Sequence, residues 1–221
     1  MNPNLQQLAS QAYILGGSPC SGKSTIAEML AAKYGFQYYT ADDHEANHLQ
    51  HSTPDLQPVM FKYSKMSWDE IWSQTVEKLL HDEIEYYHER FPFIISDLNQ
   101  LNLEPPVILE GAAFLPELIK RFPVKHENIT FMIPTTEFQL RHYAQRPWIE
   151  TILKECHDPK QAFENWMRRD ALFSQKVSHQ ASVYGFRVIQ VDGSINVQEQ
   201  FEVIEAQFRL GNLKQSYASI K

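Results

Sequence analysis

Gly17-Ser18-Pro19-Cys20-Ser21-Gly22-Lys23-Ser24-Thr25 places two glycines around a short polar run and follows the second at once with a lysine and two hydroxyls. Glycines in such a turn permit backbone angles and close approaches that a side chain would block, so successive N–H groups can point into one concavity. A concavity of that kind takes the oxygens of a phosphate chain. A helix starting here adds the positive end of its dipole, Lys23 adds a full charge at the outer phosphates, and the Ser24 hydroxyl is suited to Mg²⁺. The stretch fits G-x-x-x-x-G-K-[ST]. It follows the apolar run Tyr13 to Gly16 and precedes Ile26, Ala27, Leu30 and Ala31 at helical spacing, which is the strand and helix setting the motif requires. Cys20 reads as a small residue accommodated in the turn rather than as a redox centre.

The elements that must position this turn are legible as period and punctuation. Tyr13 to Gly16, Gln37 to Thr40, Val107 to Leu109, Ile129 to Ile133 and Arg187 to Val191 read as short, largely apolar strands separated by helical patterns. This alternation predicts an α/β fold with a parallel sheet of about five strands flanked by helices, in one domain over 1–221. Ser67 with Glu70 forms a capping box. Trp68, Ile71, Trp72, Val76, Leu79, Leu80, Ile84 and Tyr87 then recur at helical spacing, which predicts one long amphipathic helix. Another starts at Asp158-Pro159, carries Phe163, Trp166, Phe173, Val177, Ala181 and Tyr184 on one face, and stops at Gly185.

With those elements in place, the chain resembles the P-loop small-molecule and nucleoside monophosphate kinases. The likeness rests on "GGSPCSGKST", on "TADD" after the second strand, on "VILEG" at the third, on the arginines of "RHYAQRPW" and "WMRRD", and on "VDGS". It implies ATP and Mg²⁺ as cofactors, with Gly17 to Thr25 as the phosphate cradle and a helical lid over roughly 141–170. By the same resemblance Asp42 or Asp43 orients or deprotonates the acceptor hydroxyl; either also fits a helix cap before "EANHL". Glu110 corresponds to the Walker B acid, a position more often occupied by aspartate, either holding Mg²⁺ with Ser24 or acting as a base. Arg141, Arg146, Arg168 and Arg169 are the lid arginines that would neutralise charge in transfer. Helical geometry favours Arg169, which flanks the face of Trp166 and Phe173, over Arg168, which points nearly opposite. Asp170 falls within that apolar stripe and needs a partner, an arginine above all. Gly193, in "VDGS", corresponds to the loop at the adenine edge, and a plain turn fits it equally.

The acceptor leaves less trace. From Asp42 to Glu104, the expected helical acceptor-binding region, thirteen acids stand against three lysines and one arginine, a net −9. Nucleoside monophosphate kinases hold the acceptor phosphate with arginine forks, and this segment has only Arg90. A neutral or cationic acceptor suits it better. His44 and His48 stand four apart, with His51 close behind, yet no H-E-x-x-H signature or neighbouring cysteine completes a zinc set, so hydrogen-bonded or solvated histidines are expected.

Bulk properties bound these readings. Of the 221 residues 43% are hydrophobic and 21% charged, and no apolar run approaches the ~20 residues that span a bilayer. A net charge of −7 argues against nonspecific nucleic-acid or membrane partners. The start lacks a basic and an apolar signal region, and the two cysteines lie far apart, which predicts a cytoplasmic protein with reduced thiols. The expected function is ATP-dependent phosphoryl transfer to a hydroxyl of a small neutral or cationic molecule. A nucleoside monophosphate kinase is the alternative within enzymes, and a slowly hydrolysing ATP-binding switch is the alternative outside them.

Overall fold

Short strands buried on both faces need helices on both sides, and the chain supplies them in alternation. The structure, a computed structural model, describes residues 3–212. In order these form α1 (Pro3–Ser10), β1 (Ala12–Gly17), α2 (Lys23–Tyr34), β2 (Gln37–Thr40), a 3-10 turn at Asp42–His44, α3 (Glu45–His51), α4 (Pro58–Tyr63), α5 (Trp68–Trp72) and α6 (Val76–Leu98). There follow β3 (Val107–Glu110), α7 (Pro116–Ile119), β4 (Ile129–Pro134), α8 (Thr136–Tyr143), α9 (Pro147–Leu153), α10 (Pro159–Val183), β5 (Arg187–Val191) and α11 (Val197–Gln207).

The five strands form one sheet in the order β2-β3-β1-β4-β5, every neighbouring pair parallel. Each expected strand is present, with its ends moved by at most one residue. Registers Leu15↔Glu110 and Gly17↔Met132 bring the carboxyl ends of β3 and β4 up beside the turn that leaves β1. That edge is where ligands of open α/β sheets collect. On one face Ile14, Leu109 and Phe131 pack with Leu98 of α6 and Phe173 and Val177 of α10. On the other, Leu15, Ile108 and Met132 pack with Ile26 and Leu30 of α2 and Phe201 and Ile204 of α11. A third apolar cluster lies beyond the carboxyl edge, where Trp72, Tyr143, Ile149 and Trp166 meet Cys20 of the turn.

The long helix expected from Trp68 is two helices. Ser67 and Glu70 do form the capping box that starts α5, but α5 ends at Trp72 and Thr75 caps a new helix by accepting from the Lys78 amide at 3.3 Å. The break is stabilised from α10: Asn165 donates to the Trp72 carbonyl at 2.9 Å and to the Gln74 carbonyl at 3.3 Å, satisfying acceptors freed by the interruption. The expected start of α10 is present as read. Asp158 accepts from the Gln161 amide at 3.0 Å with Pro159 behind it, and Gly185, at φ 76°, follows the end of the helix. Residues 42–104 hold α3 to α6, and 141–170 run from the end of α8 through α9 into the first half of α10.

Candidate active site

The turn after β1 is shaped by contacts that leave little freedom. At Gly17, φ is +127° and an added Cβ would lie 2.1 Å from the Met132 carbonyl oxygen, so no side chain fits. The Ser18 amide donates to that same oxygen at 3.2 Å, and the buried Ser18 hydroxyl accepts from Ser174 of α10 at 2.6 Å. Cys20 at φ 66° and Gly22 at φ 81° are left-handed, which turns the backbone between them. After Ser18 the next amide of the turn with a protein acceptor is that of Ile26, which donates to Gly22 at 3.2 Å. Among the described residues, the six amides from Cys20 to Thr25 therefore have none. Open donors in series at a helix start form an anion-binding concavity.

Lys23 lies at the floor of this cradle. Its Nζ donates to the Ser18 carbonyl at 3.2 Å and stands 3.6 Å from Oε1 of Glu110. Glu110, 1% exposed, accepts at Oε2 from Thr40 at 3.0 Å and from Tyr38 at 3.2 Å, while Oε1 makes no hydrogen bond. Burial, followed by the charge of Glu110, pushes the Tyr38 phenol up, which keeps it a donor to that carboxylate. Mg²⁺ takes hard oxygen donors. A buried carboxylate oxygen without a hydrogen bond, together with the exposed Ser24 hydroxyl at the head of α2, is a donor set that fits it.

Asp42 and Asp43 lie on the 3-10 turn after β2, both exposed, and neither provides a side-chain cap to the turn or to α3. The capping role is absent. The two acids differ in surroundings: burial first, then Asp42 and Glu45, raises the Tyr87 phenol, and Asp42 also acts on Tyr86. Asp42 thus stands near these rings. The turn itself is held by Arg90, 1% exposed, which donates to the Ala41 carbonyl and, through Nε at 3.2 Å, to Nδ1 of His48. Gly111 adds close packing, since a Cβ there would lie 2.8 Å from that of Ala41.

The histidines are joined by a residue from far along the chain. His44 Nδ1 and His48 Nε2 approach Oδ2 of Asp97 at 3.3 and 2.8 Å, and Tyr39 donates to the same oxygen at 2.8 Å. His51 is apart, bonded to the Asn47 carbonyl. These three ligand atoms lie within 4.8 Å of one another. Arg90 decides against a metal: its Nε–H requires a lone pair on His48 Nδ1, so a neutral ring carries its proton on Nε2 and donates to Asp97. The cluster is a hydrogen-bond network under the Asp42 turn.

A pocket of about 300 Å³ lies among α4, α5, α6 and α10, with Glu45 of α3 at its side. Tyr63, Trp68, Trp72, Tyr86, Tyr87 and Trp166 supply most of its wall, and Glu45, Asp82, Glu83 and Arg169 its charge. Trp72 and Trp166 stack with centroids 4.1 Å apart and planes 12° from parallel. The aromatic residues, expected from their spacing to be core, are core on one side and pocket wall on the other. Cys20 of the turn belongs to the same apolar cluster as Trp72 and Trp166. Burial, followed by Asp170, raises the Cys20 thiol although Arg146 and Lys23 pull it down, in keeping with an inert small side chain.

The arginines separate clearly. Arg169 is buried and Arg168 exposed, as helical geometry predicts. Arg169 pairs through Nε with Asp170 at 2.6 Å and through a terminal nitrogen with Glu83, and its guanidinium lies over the Trp72 ring at 5.2 Å. The partner expected for Asp170 is thus present; Glu83 has no sequence signal beyond lying one turn before Tyr87. Arg146, over the rings of Tyr143 and Trp148, is close enough to act on Cys20. Arg141 is exposed and, among the described residues, pairs with Glu137 alone, at 3.7 Å. Gly193, at φ 85°, sits in an exposed turn where Asp192 accepts from the Ser194 amide at 2.8 Å, with the Phe138 ring 3.1 Å from where a Cβ would stand. Arg141 and Gly193 make no contact with the cradle through these bonds.

A glycine-rich turn between a central parallel strand and its helix, inside a five-stranded sheet covered on both faces, is a P-loop α/β fold. A solved structure shares the architecture. Deoxyadenosine kinase from M. mycoides, with dCMP and dCDP bound, is 14% identical over 90% of this chain and 98% of its own, with a TM-score of 0.50. Shikimate kinase from Acinetobacter baumannii, in complex with shikimate, is 14% identical over 95% of this chain and 98% of its own, with a TM-score of 0.47. No protein-family model and no curated protein matches the sequence. Among the described residues no helix is long and apolar enough to cross a membrane.

Proposed function

We propose that this protein is an ATP-dependent phosphotransferase that moves the γ-phosphoryl group to a hydroxyl of a small neutral or cationic molecule. The observation that carries the reading is the run of six amides, Cys20 to Thr25, without protein acceptors, with Lys23 and Glu110 beside it and an aromatic pocket built on the apolar cluster that includes Cys20. Open amides and Lys23 cradle the phosphate chain. Ser24 and Glu110 would hold Mg²⁺, which when bound neutralises charge on the phosphates. The acceptor sits in the pocket with its hydroxyl toward Asp42, whose carboxylate accepts the hydroxyl proton. The γ-phosphorus leaves the β–γ bridging oxygen and bonds to the acceptor oxygen, and the electron pair stays on ADP. Arg146, over the rings of Tyr143 and Trp148 and without a carboxylate partner among the described residues, suits the charge in transit; Arg169, committed to Glu83 and Asp170, suits the pocket wall better.

Thermal melts test the cradle. Mg²⁺-ATP stabilises the fold by roughly 2.7 kcal/mol at 100 times its Kd, and Lys23→Ala removes most of that gain. An unchanged Tm at millimolar Mg²⁺-ATP contradicts the reading. ADP release that depends on added acceptor separates transfer from the slow hydrolysis of a switch protein.

A further inference from the structure

The pocket offers almost nothing to an anion. Tyr63 donates to Asp82 at 2.9 Å, Tyr86 to Glu45 at 2.6 Å and Tyr87 to Glu83 at 2.9 Å. Each phenol has its hydrogen committed to a carboxylate and presents only lone pairs and a ring face to a ligand. Burial raises all three phenols, with Tyr63 pushed up to about 12, so they remain uncharged donors to those acids. The rings stand as corners of a box: Tyr63 and Tyr86 meet at 74° and Tyr86 and Tyr87 at 83°. Trp68 lies at the rim, 38% exposed. Arg169 lines the cavity and is already matched by Glu83 and Asp170, while the lining acids Asp82 and Glu45 are met from behind the wall by Lys78 at 2.7 Å, Lys62 at 3.3 Å and Arg90 at 3.7 Å. Its guanidinium over Trp72 shows the kind of group this wall accepts. Among the wall's fully buried donors, the Trp72 indole N–H is without a partner.

A phosphorylated acceptor would need a fork of free donors, and none is present. An uncharged planar ring would stack on one ring face and leave the faces set at right angles to it unmatched. Ring faces at right angles, bordered by acids, are instead the surroundings that attract an alkylated or protonated amine. We infer that the acceptor is a hydroxylated organic cation, its ammonium group held among Tyr63, Tyr86 and Tyr87. This deepens the phosphotransferase reading and rests on it for the word acceptor, while the cation site itself can be tested without ATP.

The test is a tryptophan-fluorescence titration of the full chain, nucleotide-free, with choline and with its uncharged isostere 3,3-dimethylbutan-1-ol, adenosine serving as the planar uncharged probe. Choline is expected to bind at least tenfold more tightly than the isostere or adenosine. Trp68→Ala, at an exposed position, and Tyr86→Phe, which keeps the ring and removes the phenol oxygen, are each expected to weaken choline by threefold or more. A circular dichroism melt of each variant establishes that it is folded. Equal binding of choline and the isostere, tighter binding of adenosine, or no choline binding at 10 mM overturns the inference. Parallel melts with Mg²⁺-ATP keep the two claims apart. A nucleotide shift without choline preference leaves the kinase reading and removes this one, and choline preference without a nucleotide shift does the reverse.

Discussion

From Cys20 to Thr25 the backbone leaves its donors open, whereas in the pocket nearly every donor is consumed by a neighbouring carboxylate. The two regions have opposite polarity. In the turn, geometry does the selecting: Gly17 has no room for a Cβ, left-handed residues turn the chain, and the helix start aims N–H groups outward. In the pocket, side-chain chemistry selects through rings, acids and a doubly paired Arg169. On the proposed reading phosphate seats in the turn and not in the pocket, so a phosphoryl group has one favourable seat before reaction, on the nucleotide side.

Loss of Asp42 is the largest expected break in that pairing. Asp42→Asn should lower acceptor-dependent transfer by roughly 10² to 10⁴ with nucleotide affinity near normal, and Asp43→Asn should change it by no more than a few fold. Equal losses in the two variants would remove the distinction drawn from the Tyr86 and Tyr87 surroundings. Next in size is Gly17→Ala, which forces a Cβ against the Met132 carbonyl at a left-handed φ. Denaturant unfolding should report a loss of about 2 to 4 kcal/mol.

Asp82 tests the pocket side through pH. Burial raises its carboxyl, but hydrogen bonds from Lys78, Tyr63 and Lys62 outweigh that and hold it below the usual range. A depressed folded value means stability that is fully present above the unfolded carboxylate value of about 3.9 and is lost as pH falls through the lower folded one. Asp82→Asn should cost about 1 to 2 kcal/mol near neutral pH. The Tm gap between it and wild type should close below about pH 4. A gap that persists at pH 2 assigns the cost to packing instead. Smallest is Thr75→Ala, expected to cost about 1 kcal/mol by removing the cap of α6. No loss there would mean that Asn165 alone maintains the break between α5 and α6.

What could be read from sequence follows the same divide. The strands, the Ser67 and Asp158 starts, and the split between Arg168 and Arg169 depend on neighbours in sequence, and period or cap chemistry exposes them. The α5–α6 break was hidden because Trp72 and Val76 keep helical spacing across it, while the group that stabilises it, Asn165, lies on α10. Asp97 joining His44 to His48, and Glu83 meeting Arg169, are contacts that only the folded chain creates. The turn is a local device and was legible; the pocket is assembled from α4, α5, α6 and α10 and was visible only as an excess of acids and rings.

The most direct measurement is kcat/KM for ADP release with Mg²⁺-ATP across a matched acceptor panel: small neutral alcohols, amino alcohols and quaternary ammonium alcohols beside AMP, CMP, GMP, UMP and TMP. A nucleotide cradle combined with a pocket that does not seat phosphate predicts that the best acceptor carries no phosphate and exceeds every nucleoside monophosphate by tenfold or more. A nucleoside monophosphate that leads the panel by that margin contradicts it, and would make this protein a nucleoside monophosphate kinase whose acceptor arginines move into place on closure.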